Sequence, residues 1–73
     1  MTENSVYKII ELVGTSPRSW EEAVQAIVAT ASKSLRDLRI AEIKELDVRI
    51  ENNKIVEYRA KVNVSFKYEK ESD

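Results

Sequence analysis

Hydrophobic and polar positions along the chain divide it into four segments. From Ser5 to Val13, β-branched and aromatic side chains are frequent, which predicts a first strand over residues 5 to 13. The segment Gly14-Thr15-Ser16-Pro17 follows and contains the chain's only glycine and only proline. Because these two residues are the strongest breakers of regular structure, the segment predicts a sharp turn at the end of the strand.

A helix is predicted over residues 19 to 37. Ser19 and Glu22 have the spacing of a capping box, in which each side chain accepts a hydrogen bond from the other residue's backbone amide. Apolar residues then recur at steps of three and four, as expected for a helix with one buried face: Trp20, Val24, Ile27, Ala31, Leu35 and Leu38.

Two strands are predicted after the helix. Residues 39 to 51 change phase, because the apolar positions are odd up to Ile43 and even from Leu46, and a bulge near Lys44 and Glu45 would reconcile them. Asn52-Asn53 predicts a two-residue hairpin turn. Residues 56 to 68 alternate strictly between apolar and polar, which indicates a long strand with one buried face. The predicted order is β-α-β-β.

The chain length predicts one domain over residues 1–73, with an ordered core at about residues 5–68 and a charged tail from Glu69. A domain this small buries only roughly 60% of the surface of its unfolded chain. The sequence has no cysteine and no histidine, so disulfides and imidazole or thiolate metal sites cannot support the fold. One helix cannot seal a sheet of long strands, and self-association is therefore predicted.

Charge and hydropathy exclude several classes of partner. Twelve basic and thirteen acidic side chains give a net charge of -1, and no basic patch suited to nucleic acid is present. No apolar run approaches the ~18 to 20 residues that span a bilayer. The first residues also lack the basic and apolar regions of a signal peptide. We therefore expect a cytoplasmic protein without nucleic-acid or membrane partners.

No arrangement of residues predicts an enzyme, and no catalytic residue is assigned, because the remaining nucleophiles and carboxylates are scattered. The turn at Gly14-Thr15-Ser16 lacks the second glycine and the lysine of phosphate-binding loops. It is either a structural turn or a weak anion site at a helix N-terminus. Trp20 either fills space in the core or in an interface, or it provides a ring on which a ligand stacks.

Acidic residues on the second predicted strand also leave two interpretations open. They could supply oxygen ligands to a hard cation, particularly if several copies meet, or they could form a solvated and salt-bridged strand face. Arg59 on the last strand is expected to be an ion-pair partner more often than a residue that clamps a ligand. The acidic residues are Glu42, Glu45, Asp47 and Glu51.

Taken together, these segments resemble the dodecin family over roughly residues 5 to 68. The most specific motifs are Val13-Gly14-Thr15-Ser16 and the alternating apolar positions Val62, Val64 and Phe66. The resemblance implies an α+β fold of β-α-β-β order, in which a three-stranded antiparallel sheet partly wraps one helix. It also implies a homododecamer that forms a hollow shell of tetrahedral symmetry.

Dodecins as a family are non-enzymatic storage or sequestering proteins that stack flavins between tryptophans and bond the flavin edge to a glutamine of the last strand. The resemblance places Ile40 at the tryptophan position and Arg59 at the glutamine position, so both residues of the implied riboflavin or FMN pocket are substituted. The segments Ser16-Pro17-Arg18-Ser19-Trp20-Glu21 and Arg39-Ile40-Ala41 are more similar to a tryptophan-less branch for which calcium chelation has been proposed. No residue of this chain is assigned as a metal ligand from that branch. The resemblance thus implies a small-ligand-binding shell for flavin, with calcium binding or a purely structural assembly as alternatives.

Overall fold

A computed structural model describes residues 4–68 of the chain. In this part the elements follow in the order β1 (Tyr7–Ser16), α1 (Trp20–Ala31), β2 (Leu38–Glu51) and β3 (Lys54–Lys67). They form a three-stranded sheet of order β1-β3-β2, in which β3 pairs antiparallel with both neighbours. The helix packs against β1 and β3. The predicted α+β class, element order and antiparallel sheet are confirmed.

The first strand is longer than predicted, and its glycine does not form a turn. Gly14 pairs with Ala60 inside β1, and it does not adopt a positive φ. A Cβ atom added to Gly14 would lie 2.5 Å from the carbonyl oxygen of Ala23 and 2.5 Å from Cγ1 of Ile27. The prediction of a turn beginning at Gly14 was therefore wrong. Glycine is required here because the helix crosses β1 in contact with its backbone.

The helix begins where the capping box predicted but ends six residues early. The Ser19 side chain accepts a hydrogen bond from the backbone N–H of Glu22 at 3.0 Å. After Ala31 the amides of residues 33 and 34 bond to carbonyls three residues back, so the chain tightens into turns. Leu38 then joins β2 and still packs against the core. The prediction of a helix to residue 37 was wrong because a turn and a strand continued the helical spacing of apolar residues.

The hairpin of β2 and β3 confirms the two local signals in the sequence. Asn52 and Asn53 have φ values of 51° and 64°, as a two-residue turn of this kind requires. The register shifts between Ile43 and Glu45, where the phase change predicted a bulge. Further shifts follow Leu38 and Arg49. The bulges allow apolar residues on both sides of the phase change to face α1.

The core is small and lies under the helix, at the meeting of α1 with the centre of β3. Its buried members are Ala23, Ile27, Ala60, Val62 and Val64, with Ile10, Leu12, Val24 and Leu38 packed around them. A helix of 12 residues is about 18 Å long, whereas a strand of 14 residues spans about 46 Å. The helix therefore covers less than half of the hairpin's length, and much apolar surface stays exposed.

Within residues 4–68 no helix is both long enough and apolar enough to cross a membrane. The charged tail predicted from Glu69 lies outside the described residues, as does the start of the chain on which the signal-peptide argument depends.

Candidate functional site

The face of the sheet turned away from α1, which we name the outer face, contains the predicted ligand position Ile40. This residue pairs with Ser65 of β3, and β1 brings Ile9 to the other side of the same serine. Ile40 is 65% exposed and Ile9 is 61% exposed. With Glu42 and Asn63 these three residues line a shallow cavity of about 370 Å³. The outer face thus carries an apolar patch bordered by polar side chains.

Hydrogen bonds hold the strand at this cavity. The backbone N–H of Ile40 donates to Oγ of Ser65 at 3.2 Å, and that hydroxyl donates to the carbonyl oxygen of Ile40 at 3.4 Å. These bonds bridge the register shift at the start of β2. The Ile40 side chain is left free to contact a ligand or another copy of the chain.

Arg59, the second predicted ligand position, lies on the outer face but is held by Asp47. Its Nε and Nη2 atoms donate to the two carboxylate oxygens of Asp47 at 2.7 and 2.9 Å. The hydrogen bonds and the attraction between the charges raise the pKa of Arg59, and the same hydrogen bonds lower the pKa of Asp47. The expectation that Arg59 is an ion-pair partner is confirmed.

Ile40 and Arg59 do not share a pocket within one protomer. Ile40 pairs with Ser65, six residues along β3 from Arg59, which corresponds to about 20 Å of extended strand. Arg59 lines a separate and much smaller cavity of about 80 Å³, together with Val13 and the pair formed by Glu45 and Lys61. A ligand that contacts both positions would have to lie between copies of the chain.

Most of the acidic residues proposed as cation ligands form ion pairs. Glu45 lies 3.5 Å from Lys61, Asp47 holds Arg59, and the Glu51 carboxylate contacts Arg49. Within residues 4–68 no group of three or more acidic side chains could hold a metal ion. The salt-bridged strand face is therefore confirmed for these three residues, and Glu42 alone lines the cavity beside Ile40.

The segment before the helix satisfies its own polar groups. Ser16 is 3% exposed, and its hydroxyl accepts hydrogen bonds from the backbone amides of Arg18 and Ser19 while donating to the Glu22 carboxylate. Arg18 also bonds that carboxylate, at 2.8 Å. Hydrogen bonds from Arg18 and Ser16 lower the pKa of Glu22. An internal carboxylate thus occupies the position at which an anion was expected, which favours the structural interpretation of the turn.

Trp20 lies on the helix side of the sheet, opposite the outer face. Its ring meets Tyr58 edge to face, with centroids 5.3 Å apart and planes at 85°, and its Nε1–H donates to the backbone carbonyl of Asp47 at 3.1 Å. The residue as a whole is 36% exposed. Trp20 therefore packs at the end of the core and cannot stack a ligand held at Ile40 of the same protomer.

The sequence did not indicate an apolar cleft on the helix side. It has a volume of about 410 Å³ and lies between α1, which contributes Trp20 and Val24, and β2, which contributes Ile43 and Leu46. The phase change in β2 was the available signal, because it turns both Ile43 and Leu46 towards the helix. The cleft forms because α1 packs on β1 and β3 and reaches β2 only through Trp20, which leaves these residues uncovered.

Comparison with known proteins gives a consistent result. A family model described as Dodecin matches residues 6–69. Calcium dodecin of Mycobacterium tuberculosis is 44% identical over 63 residues, covering 86% of this chain and 89% of that protein. Dodecin of Thermus thermophilus is 44% identical over 64 residues, covering 88% and 93% of the two chains.

The solved structures agree with the sequence matches. The structure of dodecin from Streptomyces coelicolor aligns with a TM-score of 0.90 at 30% identity, covering 96% of this chain and all of that one. The β-α-β-β fold with its antiparallel sheet is therefore shared as well as the sequence. This chain belongs to the dodecin family.

Proposed function

We propose that this chain is a non-catalytic, cytoplasmic dodecin that assembles into a homododecamer and sequesters a small ligand between its copies. The observation that carries the proposal is the exposed apolar surface of a protomer with an otherwise well-formed core. Among the described residues twelve large hydrophobic side chains are exposed, including both Ile9 and Ile40 on the outer face. Single exposed apolar side chains are normal on a monomer, but Ile9 and Ile40 flank the same serine and form a patch of the kind that marks an interaction surface.

Flavin is the ligand that the family implies, and the residues at the pocket positions do not fit it well. Ile40 offers an aliphatic surface in place of an aromatic ring, and aromatic stacking contributes about 0.5–1.5 kcal/mol beyond the buried area. The donors of Arg59 already bond to Asp47. Trp20 lies on the opposite side of the sheet. We therefore expect weak binding of riboflavin and FMN.

A flavin titration tests this interpretation. We expect the purified protein to be nearly colourless and added riboflavin or FMN to keep most of its fluorescence. Ile40→Trp should restore a stacking surface and increase the quenching, whereas Ile40→Leu serves as the control that changes only shape. Strong quenching by the unaltered protein at micromolar concentration would contradict the proposed loss of flavin affinity.

Calcium is the second candidate ligand, supported by the 44% identity to a protein named calcium dodecin. Glu42 supports this candidate too, since its carboxylate lines the outer-face cavity and is not engaged in an ion pair within residues 4–68. One protomer supplies too few oxygen ligands for Ca²⁺, which takes about 6–8. A calcium site on this face would therefore be completed by other copies.

Calorimetric titration with CaCl₂ tests the second candidate. Heat that disappears in Glu42→Gln but persists in Glu57→Gln, six residues along β3 from Asn63 and outside the cavity lining, would support a site at the cavity. The absence of heat, together with the absence of flavin quenching, would favour an assembly that retains no ligand.

Sedimentation velocity tests the assembly itself. Twelve protomers of 8.4 kDa would sediment with a mass of about 100 kDa, as expected for a closed symmetric oligomer. A mass near that of one protomer would refute the proposed shell.

A further inference from the structure

The end of the β2–β3 hairpin projects beyond the part of the sheet that the helix covers. The molecule is 57 Å long and 14 Å thick, and its Cα radius of gyration is 15.5 Å, compared with about 11 Å for a compact domain of this length. Ile50 and Ile55 pair across the two strands near the turn and are 60% and 52% exposed. We name residues 49–55 the hairpin tip. A two-stranded tip with exposed apolar residues requires a covering partner.

The apolar cleft between α1 and β2 matches the exposed apolar residues of the hairpin tip. Its walls are the indole of Trp20 and the side chains of Val24, Ile43 and Leu46, and the last two are about half exposed. The helix packs on β1 and β3 and reaches β2 only through Trp20, whose indole bonds to the Asp47 carbonyl, so no element within residues 4–68 fills the cleft. Glu21 and Gln25 form its polar rim.

The tip cannot reach the cleft of its own protomer. Leu46 and Ile50 belong to the same continuous strand, four residues or about 13 Å apart, and the strand would have to fold back to bring them together. Any tip that occupies the cleft must therefore come from a second copy.

The charges of the two surfaces are complementary. Lys54 starts β3 at the tip, and Glu21 stands at the rim of the cleft. Neither side chain forms an ion pair within residues 4–68, whereas the neighbouring Arg49 is bound by Glu51 and Glu57. We propose that the hairpin tip of one copy docks in the α1/β2 cleft of the next copy, with Ile50 and Ile55 against Trp20 and Lys54 beside Glu21.

This contact joins two different surfaces, so each copy both gives a tip and receives one. Repeated contacts of this type close into a ring when the rotation between copies permits it, which suits a closed shell. The inference rests on the proposed self-assembly and specifies which surfaces carry it. A small apolar molecule in the cleft and a direct contact between two tips are the competing occupants, and the experiments below separate them.

Charge reversal tests the pairing. Glu21→Lys and Lys54→Glu each place like charges together, and we expect each to raise the dissociation constant of the assembly by about tenfold or more in sedimentation equilibrium. The double variant restores opposite charges and should return most of the lost affinity. Lys33→Glu, in the turn after α1, is the matched control and should assemble as the unaltered chain does. Unchanged assembly in both single variants, or no recovery in the double variant, would overturn the proposal.

Crosslinking through introduced thiols gives a second test, because the chain contains no cysteine. The two long side chains of a Lys–Glu pair hold their Cα atoms farther apart than a disulfide can span, so a short bismaleimide serves as the linker. With this linker the Glu21→Cys/Lys54→Cys variant should form covalent dimers and higher multiples, and each single-cysteine variant should remain uncrosslinked. Crosslinking by Lys54→Cys alone would show that two tips meet, which overturns the proposal. An intact assembly without crosslinks in the double variant would show that the tip does not occupy the cleft, which also overturns the proposal. A monomeric unaltered chain would instead refute the proposed shell itself.

Discussion

Replacing Gly14 by alanine places a methyl group in the contact between β1 and α1. The new Cβ would lie 2.5 Å from the Ala23 carbonyl oxygen and 2.5 Å from Cγ1 of Ile27, whereas favourable contacts of this kind are about 3.5–4.0 Å. The methyl group is thus about 1 Å too close on two sides. Ile27 can adjust its rotamer, but the carbonyl belongs to the helix backbone and can retreat only if the helix moves.

The magnitude follows from two opposing effects. Overpacking of a tight contact costs about 1–3 kcal/mol. Replacing glycine by alanine in ordinary extended backbone recovers about 0.4–1 kcal/mol, because the unfolded chain loses conformational freedom. Since a backbone atom is involved, the cost should lie near the upper end, and we expect Gly14→Ala to lower the free energy of unfolding by about 2 kcal/mol. That is a substantial part of the roughly 4–11 kcal/mol expected for a chain of 73 residues.

Urea unfolding followed by circular dichroism measures the effect, at one fixed protein concentration because assembly contributes to apparent stability. Thr15→Ala, at the exposed neighbouring position of the same strand, is the control and should change stability by about 0.5 kcal/mol or less. Ile27→Ala added to Gly14→Ala should not restore stability, because the Ala23 carbonyl remains in place. A Gly14→Ala variant as stable as the unaltered chain would refute the steric explanation.

Three further predictions concern the core, the cap and the outer face. Val62→Ala should cost about 2 kcal/mol in urea unfolding, because the side chain is fully buried and its removal leaves a cavity. Ser19→Ala should cost about 1 kcal/mol in the same assay, through loss of the hydrogen bond from the Glu22 amide, and Ser19→Asp should retain the cap. Asp47 should contribute stability that is complete above its unfolded-state pKa and lost as pH falls through its lowered folded-state pKa, since Arg59 favours the ionised form. Asp47→Asn should lack this part of the pH dependence of unfolding, and identical profiles would contradict the role of the pair.

Local features of the fold were predictable because their causes are local. Ser19 caps the start of the helix as its spacing to Glu22 predicted, although the Glu22 carboxylate bonds to Ser16 and Arg18 and not to the Ser19 amide. Asn52-Asn53 form the predicted hairpin turn. The phase change near Lys44 located the bulge. In each case the residues that produce the structure are within a few positions of it.

Features that depend on distant packing were missed. The spacing of Leu35 and Leu38 continued the helical pattern, although Leu38 reaches the same core from a strand. Gly14 is required by a helix that crosses it, which no local pattern shows.

The candidate site also has one part that the sequence predicts and one part that depends on strand pairing. Ile40 could be placed on an exposed strand, but the partner of Arg59 could not, because the register shift between Arg49 and Ile50 decides which residue of β2 lies opposite it. Asp47 meets Arg59 only after that shift has been counted from the turn.

The central position of β3 has a consequence for the order in which the chain folds. Among the elements of residues 4–68 β3 comes last in sequence, and both other strands pair with it. The β2–β3 hairpin closes a turn of two residues, whereas Tyr7 must find Lys67 across nearly the whole chain. Short loops close faster than long ones, so the hairpin should form early and β1 should dock late, together with the helix that it contacts. During synthesis β1 and α1 therefore have no sheet to pack against until β3 has left the ribosome. Chaperones should bind β1 in that interval.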